Sequence, residues 1–111
     1  MTRNEWIEYH DKQAEKHGET DRYYEKFCTE FNSAEHGIFQ YTVDGDVMTM
    51  QECIGDVRFW EEQALWICKT CGINKIISCA TTDKPKRLER LYKAKAISCT
   101  DGVWMFERLV N

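Results

Sequence analysis

Asp-Gly stands twice between β-rich runs, and this repeated signal constrains the fold more than any other feature of the chain. Asp44-Gly45 separates residues 38–43 from residues 47–54, and Asp101-Gly102 separates 97–99 from 103–106. Glycine accepts the positive φ of a tight primed turn at little steric cost. Each Asp-Gly therefore predicts a β-hairpin.

The stretch between the two hairpins has another character. Gly55-Asp56 opens a helical pattern, with Asp56 placed as its cap. Phe59, Trp60, Gln63, Ala64, Ile67 and Cys68 form an apolar stripe, widened by Leu65 and Trp66. A stripe this wide predicts burial on more than one side. Gly72 stops the helix, and the short apolar run 75–80 suits the centre of a sheet. A strand, a helix and a strand in succession require a parallel crossover. Thr81-Thr82-Asp83 then leads into a further helix with Pro85 in its first turn, where Leu88, Leu91, Tyr92 and Ala96 are expected to face inward.

The first third reads as two amphipathic helices. Thr2 and Glu5 have the capping-box spacing, Trp6, Tyr9, Gln13 and Ala14 make a stripe, and Gly18 ends it. A second helix is predicted to start at Thr20 or Asp21, with Tyr23, Tyr24, Phe27, Cys28 and Phe31 along one face. The predicted fold is therefore α+β (mixed α/β). Two N-terminal helices over 1–35 cover a sheet core at 37–110, in one domain spanning 1–111. The mixed sheet has about five strands, with a parallel crossover and a C-terminal antiparallel hairpin.

Composition narrows the function. The 111 residues are 42% hydrophobic and 13% aromatic, enough for a packed core. The net charge of −4 gives no basic excess, so nucleic acid is not an expected partner. No apolar run reaches membrane-spanning length, and residues 1–10 do not resemble a secretory signal, so a cytoplasmic location is expected. The six cysteines should then be thiols, with Cys53, Cys79 and Cys99 packed as small hydrophobes within strands. Cys68 and Cys71 form a C-x-x-C without the further ligands that zinc requires, and they close a helix rather than open one, so no metal is expected. His10, His17 and His36 have no evident partner in sequence. The basic helix carrying Lys84, Lys86, Arg87, Arg90, Lys93 and Lys95 reads as a solvated face, or else as a docking face for an acidic surface or a phosphate-rich ligand.

Three segments carry a family resemblance. Residues 67–77 (ICKTCGINKII) resemble the helix, "G-I-x-K-I" turn and fifth strand of the GNAT superfamily of acyl-CoA N-acyltransferases. Residues 86–93 (KRLERLYK) resemble its next helix, and the closing Asp-Gly hairpin resembles its last two strands. The resemblance covers about residues 37–110. It implies an acetyl-CoA cofactor, with the pyrophosphate held by amides at the start of the helix after residue 55. Gly55, Asp56, Val57 and Arg58 match that position. It further implies Tyr92 as the acid that protonates the leaving thiolate and Glu52 as the base that deprotonates the amine. The chain departs from the family pattern in four respects. It has a single Gly in the phosphate loop and an acid, Asp56, at the anion site. Lys95-Ala96 replaces the usual Gly-Phe, and a first strand ahead of the helices is lacking.

Two functions follow from the resemblance. One is a compact N-acyltransferase using acetyl-CoA. The other is a non-catalytic binding or assembly protein of GNAT fold, similar to small GNAT-like proteins of bacteriophages. That second function implies a protein partner, a virion location if phage-encoded, or self-association as a homo-oligomer.

Overall fold

A computed structural model describes residues 1–19 and 22–110. Three helices and six strands occur among them, in the order α1 (Arg3–Lys16), β1 (Thr29–Ser33), β2 (Gly37–Asp44), β3 (Val47–Gly55), α2 (Val57–Cys71), β4 (Lys75–Thr81), α3 (Pro85–Tyr92), β5 (Lys95–Thr100) and β6 (Val103–Leu109). The strands form one mixed sheet in the order β1-β2-β3-β4-β6-β5. Both predicted hairpins are present. Gly45 turns β2 into β3 with φ +62°, and Asp101 and Gly102 both have positive φ, 52° and 80°, the sign pattern of a type I′ turn. The predicted crossover is present too: β3 and β4 are parallel, Val47–Thr49 lying beside Lys75–Ile77, with α2 between them in the chain.

The fold class is the expected α+β, but its N-terminal part differs. Among the described residues 22–31 the predicted second helix does not form. Its predicted start at Thr20 or Asp21 lies outside the described residues. Residues 22–28 are irregular, and β1 follows as a sixth strand. It pairs antiparallel with β2, setting Glu30 opposite Gln40 and Phe31 opposite Phe39. The misreading has a simple cause. Tyr23, Phe27 and Phe31 recur at helical spacing, but Tyr24 and Phe27 are exposed and only Phe31 lies in β1, so the spacing marks no common buried face. Phe31 and Tyr41 stack at 6.1 Å across the ladder, a pairing that a helix could not make. Residues 1–35 are thus not a wholly helical cover.

The chain divides into two compact units, the first comprising Met1–Tyr41 and Gln51–Gln63, the second Thr42–Met50 and Ala64–Asn111. In the first unit, α1 has its capping box: Glu5 N–H donates to Thr2 Oγ1 and Thr2 N–H to Glu5 Oε1. Residues 37–41 of β2 are buried without alternation, which requires cover on both faces of the strand. Phe39 stacks on Tyr41 at 5.2 Å and on Trp60 at 5.9 Å. Gly37 and Gly55 belong to this packing. A Cβ on Gly37 would overlap the Ile54 carbonyl, and one on Gly55 would lie 2.6 Å from the His36 oxygen. Both have φ near +100°, so no other residue fits either position.

In the second unit, β4 pairs with β6 along its whole length, from Lys75 beside Leu109 to Thr81 beside Val103. Phe106, Met48 and Cys68 are fully buried, and the Cys68 thiol meets Met48 Sδ at 4.0 Å. Some expected core positions lie outside it. Leu91 and Trp66 are exposed, and so are Cys79 and Cys99. Ala96 belongs to β5 rather than to α3. The two thiols fail as core residues because β5 is an edge strand and β4, covered over residues 75–78, is exposed at Cys79 and Thr81. Among the described residues no helix is long and apolar enough to cross a membrane.

Candidate functional site

The end of β3 and the first turn of α2, both in the first unit, carry most of the residues singled out in sequence. Glu52 lies on β3, three residues before Gly55. Its side chain is 22% exposed, and two basic side chains face it from elsewhere in the unit: Lys26 Nζ lies 3.7 Å from Oε1 and His10 Nε2 3.7 Å from Oε2. The neighbouring Cys53 thiol is pushed up to about 12, first by burial and then by the charges of Glu52, Glu61 and Asp56, which leaves it inert as a nucleophile.

Asp56 is the cap that its position predicts. Phe59 N–H donates to its Oδ1 at 3.1 Å, and Oδ2 lies 3.1 Å from His36 Nδ1. These two bonds, the backbone one first, hold the Asp56 carboxyl below the usual carboxylate range. The His36 ring stacks on Phe59 with 3.7 Å between centroids, and its carbonyl accepts from Asp56 N–H and Trp60 Nε1–H, both at 2.8 Å. Gly55 therefore owes its identity to the close approach of the 36–37 backbone. In the α2 turn, the Asp56 and Phe59 amides are engaged. Val57 and Arg58 are exposed, and their amides have no bonded partner among the described residues. Two free N–H groups, the helix dipole and the Arg58 guanidinium favour an anion there, and the Asp56 carboxylate opposes it.

Tyr92 lies in the second unit as the last residue of α3. It is half-buried, its ring edge-on to Phe106 at 6.4 Å, and its carbonyl accepts from Arg108 Nη1 at 3.5 Å. Lys93 closes the helix in the left-handed conformation, and Glu89 holds the following strand by accepting from Ala96 N–H at 2.9 Å. The six basic residues in and around α3 are all exposed.

A polar cluster that no motif announced lies beside Glu52. Gln40, 1% exposed, donates to Tyr23 Oη at 2.8 Å and to Glu30 Oε1 at 2.7 Å. Arg3 pairs with Glu30 at 2.8 Å and with Glu25 at 3.0 Å, and also donates to Tyr23 Oη. The Arg3 bond, helped by Gln40 and Asn32, holds Glu30 at about 2, and burial pushes the Tyr23 phenol up. The available sequence signal was Gln40 itself, a lone amide within an otherwise apolar strand. No group of three or more metal-ligating side chains occurs among the described residues.

No protein-family model matches the chain, and no curated protein sequence matches it. Among solved structures it is similar to the PaiA N-acetyltransferase of Thermoplasma acidophilum, determined in complex with coenzyme A. The likeness covers 65% of this chain and 52% of that one, at 11% identity and a TM-score of 0.56, so the chain spans about half of that structure. The likeness is one of fold, and the fold is GNAT-like.

Proposed function

We propose that the chain is a compact N-acyltransferase that moves an acetyl group from acetyl-CoA to an amine. The observation that carries this reading is the α2 turn. On a GNAT-like fold, Val57 and Arg58 offer free amides beside a guanidinium, five and six residues beyond a partly buried carboxylate on the same stretch of chain.

In this reading Val57, Arg58 and the Gly55 backbone hold the pyrophosphate, and the thioester supplies the activated acyl group. Glu52 takes the proton of the acceptor amine as nitrogen attacks the carbonyl. Tyr92, in the second unit, is the acid that the GNAT resemblance assigns to the departing thiolate, whose protonation gives the free thiol. Asp56 keeps the turn rigid through Phe59 and His36, at the cost of a negative charge near the phosphates.

Titration calorimetry with acetyl-CoA tests the reading. Micromolar binding that weakens at least tenfold in Arg58→Ala, and tightens in Asp56→Asn, is expected. No heat at millimolar acetyl-CoA removes it. The Asp56 carboxylate itself favours a second reading, a GNAT-like fold retained for protein binding or assembly, because the anion position already has an internal occupant. Absence of binding together with a stable protein leaves that reading in place.

A further inference from the structure

The environment of Lys26 is built like a receptor for an ammonium group. The side chain is 10% exposed, although the segment that carries it is neither helix nor strand. Tyr24, Glu25 and Phe27 beside it are exposed, whereas Lys26 is turned inward. Three acceptors surround Nζ: the Tyr24 carbonyl at 3.0 Å, Gln40 Oε1 at 3.4 Å and Glu52 Oε1 at 3.7 Å. Two rings complete the enclosure, with the Tyr24 centroid at 4.3 Å and that of Tyr23 at 4.6 Å. Two of the ammonium donors have hydrogen-bond acceptors, the Glu52 carboxylate lies at ion-pair distance, and the aromatic faces take the remaining charge. An ordinary surface ion pair has neither the rings nor the burial.

The supporting residues are themselves held in place. Gln40 is fixed by Tyr23 and Glu30, and Tyr23 by Arg3, while its backbone N–H donates to Asp11 at 2.9 Å. His10 engages the other Glu52 oxygen. The Gln40, Tyr23 and Glu52 sides of the enclosure are thus organised by residues other than Lys26, so they can outlast the loss of that side chain.

We propose that this enclosure is a binding site for the protonated end of an unbranched primary alkylamine, such as a lysine-type side chain, with Lys26 as its internal occupant. Placed there, the amine lies against the Glu52 carboxylate. On the acyltransferase reading above, it is the acceptor site. An incoming amine competes with Lys26, so the apparent affinity of the wild-type chain falls by the fraction of time the enclosure is open.

The test uses n-butylammonium as probe and the full-length Lys26→Ala variant, followed by calorimetry and thermal unfolding. Lys26→Ala is expected to bind the probe at least tenfold more tightly than wild type and to gain thermal stability as it does so. Lys26→Ala combined with Glu52→Gln should lose that gain, and n-butanol should not reproduce it. Equal binding by wild type and Lys26→Ala overturns the proposal, as does undiminished binding by the double variant or equal binding of n-butanol. Should Lys26→Ala fail to fold alone, recovery of its circular dichroism on adding n-butylammonium supports the site, and no recovery overturns it. Acetyl-CoA is then added to the amine-loaded variant. Amine binding without N-acetylbutylamine upholds the site and removes the acyltransferase reading alone.

Discussion

The two units are held together by different means. The first depends on points where nothing else fits: two glycines with backbone pressed against backbone, and a polar cluster in which Arg3, Glu30, Tyr23 and Gln40 satisfy one another. The second depends on a continuous antiparallel ladder between β4 and β6, with buried Phe106, Met48 and Cys68 against it. Such a ladder spreads its stability over many small terms. A glycine contact or a half-buried ion pair concentrates stability in one. Single changes should therefore damage the first unit more than comparable changes damage the second.

The sharpest way to break this comparison is Gly37→Ala. A methyl group there overlaps the Ile54 carbonyl and meets a φ of +106°. A loss of about 4 kcal/mol or more is expected in urea unfolding, and a loss under 1 kcal/mol would mean that the close approach is not rigid.

A middle-sized effect should come from Glu30. Its folded-state pKa is about 2 against 4.5 in the free residue, so its contribution is fully present above pH 4.5 and is lost as pH falls towards 2. The contribution is about 3 kcal/mol. Hydrogen exchange through this range should release β1 and β2 before β4 and β6. Glu30→Gln should remove most of the pH dependence, and simultaneous release of both units would erase the distinction between them.

The smallest effect belongs to the second unit. Lys75 and Glu107 pair at 3.4 Å with both side chains partly in water. Lys75→Met should cost less than about 1 kcal/mol, measurable as a small shift of the urea midpoint. A larger cost would show that the ladder, too, hangs on single contacts.

What could be read from sequence was local. Asp44-Gly45, Asp101-Gly102, the Thr2–Glu5 box, the Asp56 cap and Pro85 each act within a few residues, and each is found where its chemistry puts it. The segment containing Tyr23, Phe27 and Phe31 was misread because the helical spacing of its aromatics does not reveal that Phe31 pairs with β2 and that residues 22–28 form neither helix nor strand. The surroundings of the candidate site were less legible still. Glu52 meets His10 and Lys26, 42 and 26 positions earlier in the chain, and His36 meets Asp56 across twenty. No spacing rule spans such distances. The exposed Cys79 and Cys99 went unforeseen for a related reason: an apolar run reveals neither that β5 lies at the sheet edge nor that the Cys79 position of the central strand β4 is left uncovered.

The Asp101-Gly102 turn has a further consequence, for the order of events as the chain folds. It joins β5 and β6 through two residues, so closing that loop forfeits little entropy and should take microseconds. The Val47–Thr49 ladder with Lys75–Ile77 must wait until α2 has formed and the chain has returned across 28 positions. Contacts at such separation form slowly. The late event in the second unit is therefore expected to be the docking of β3 beside β4, onto a β5–β6 hairpin already made.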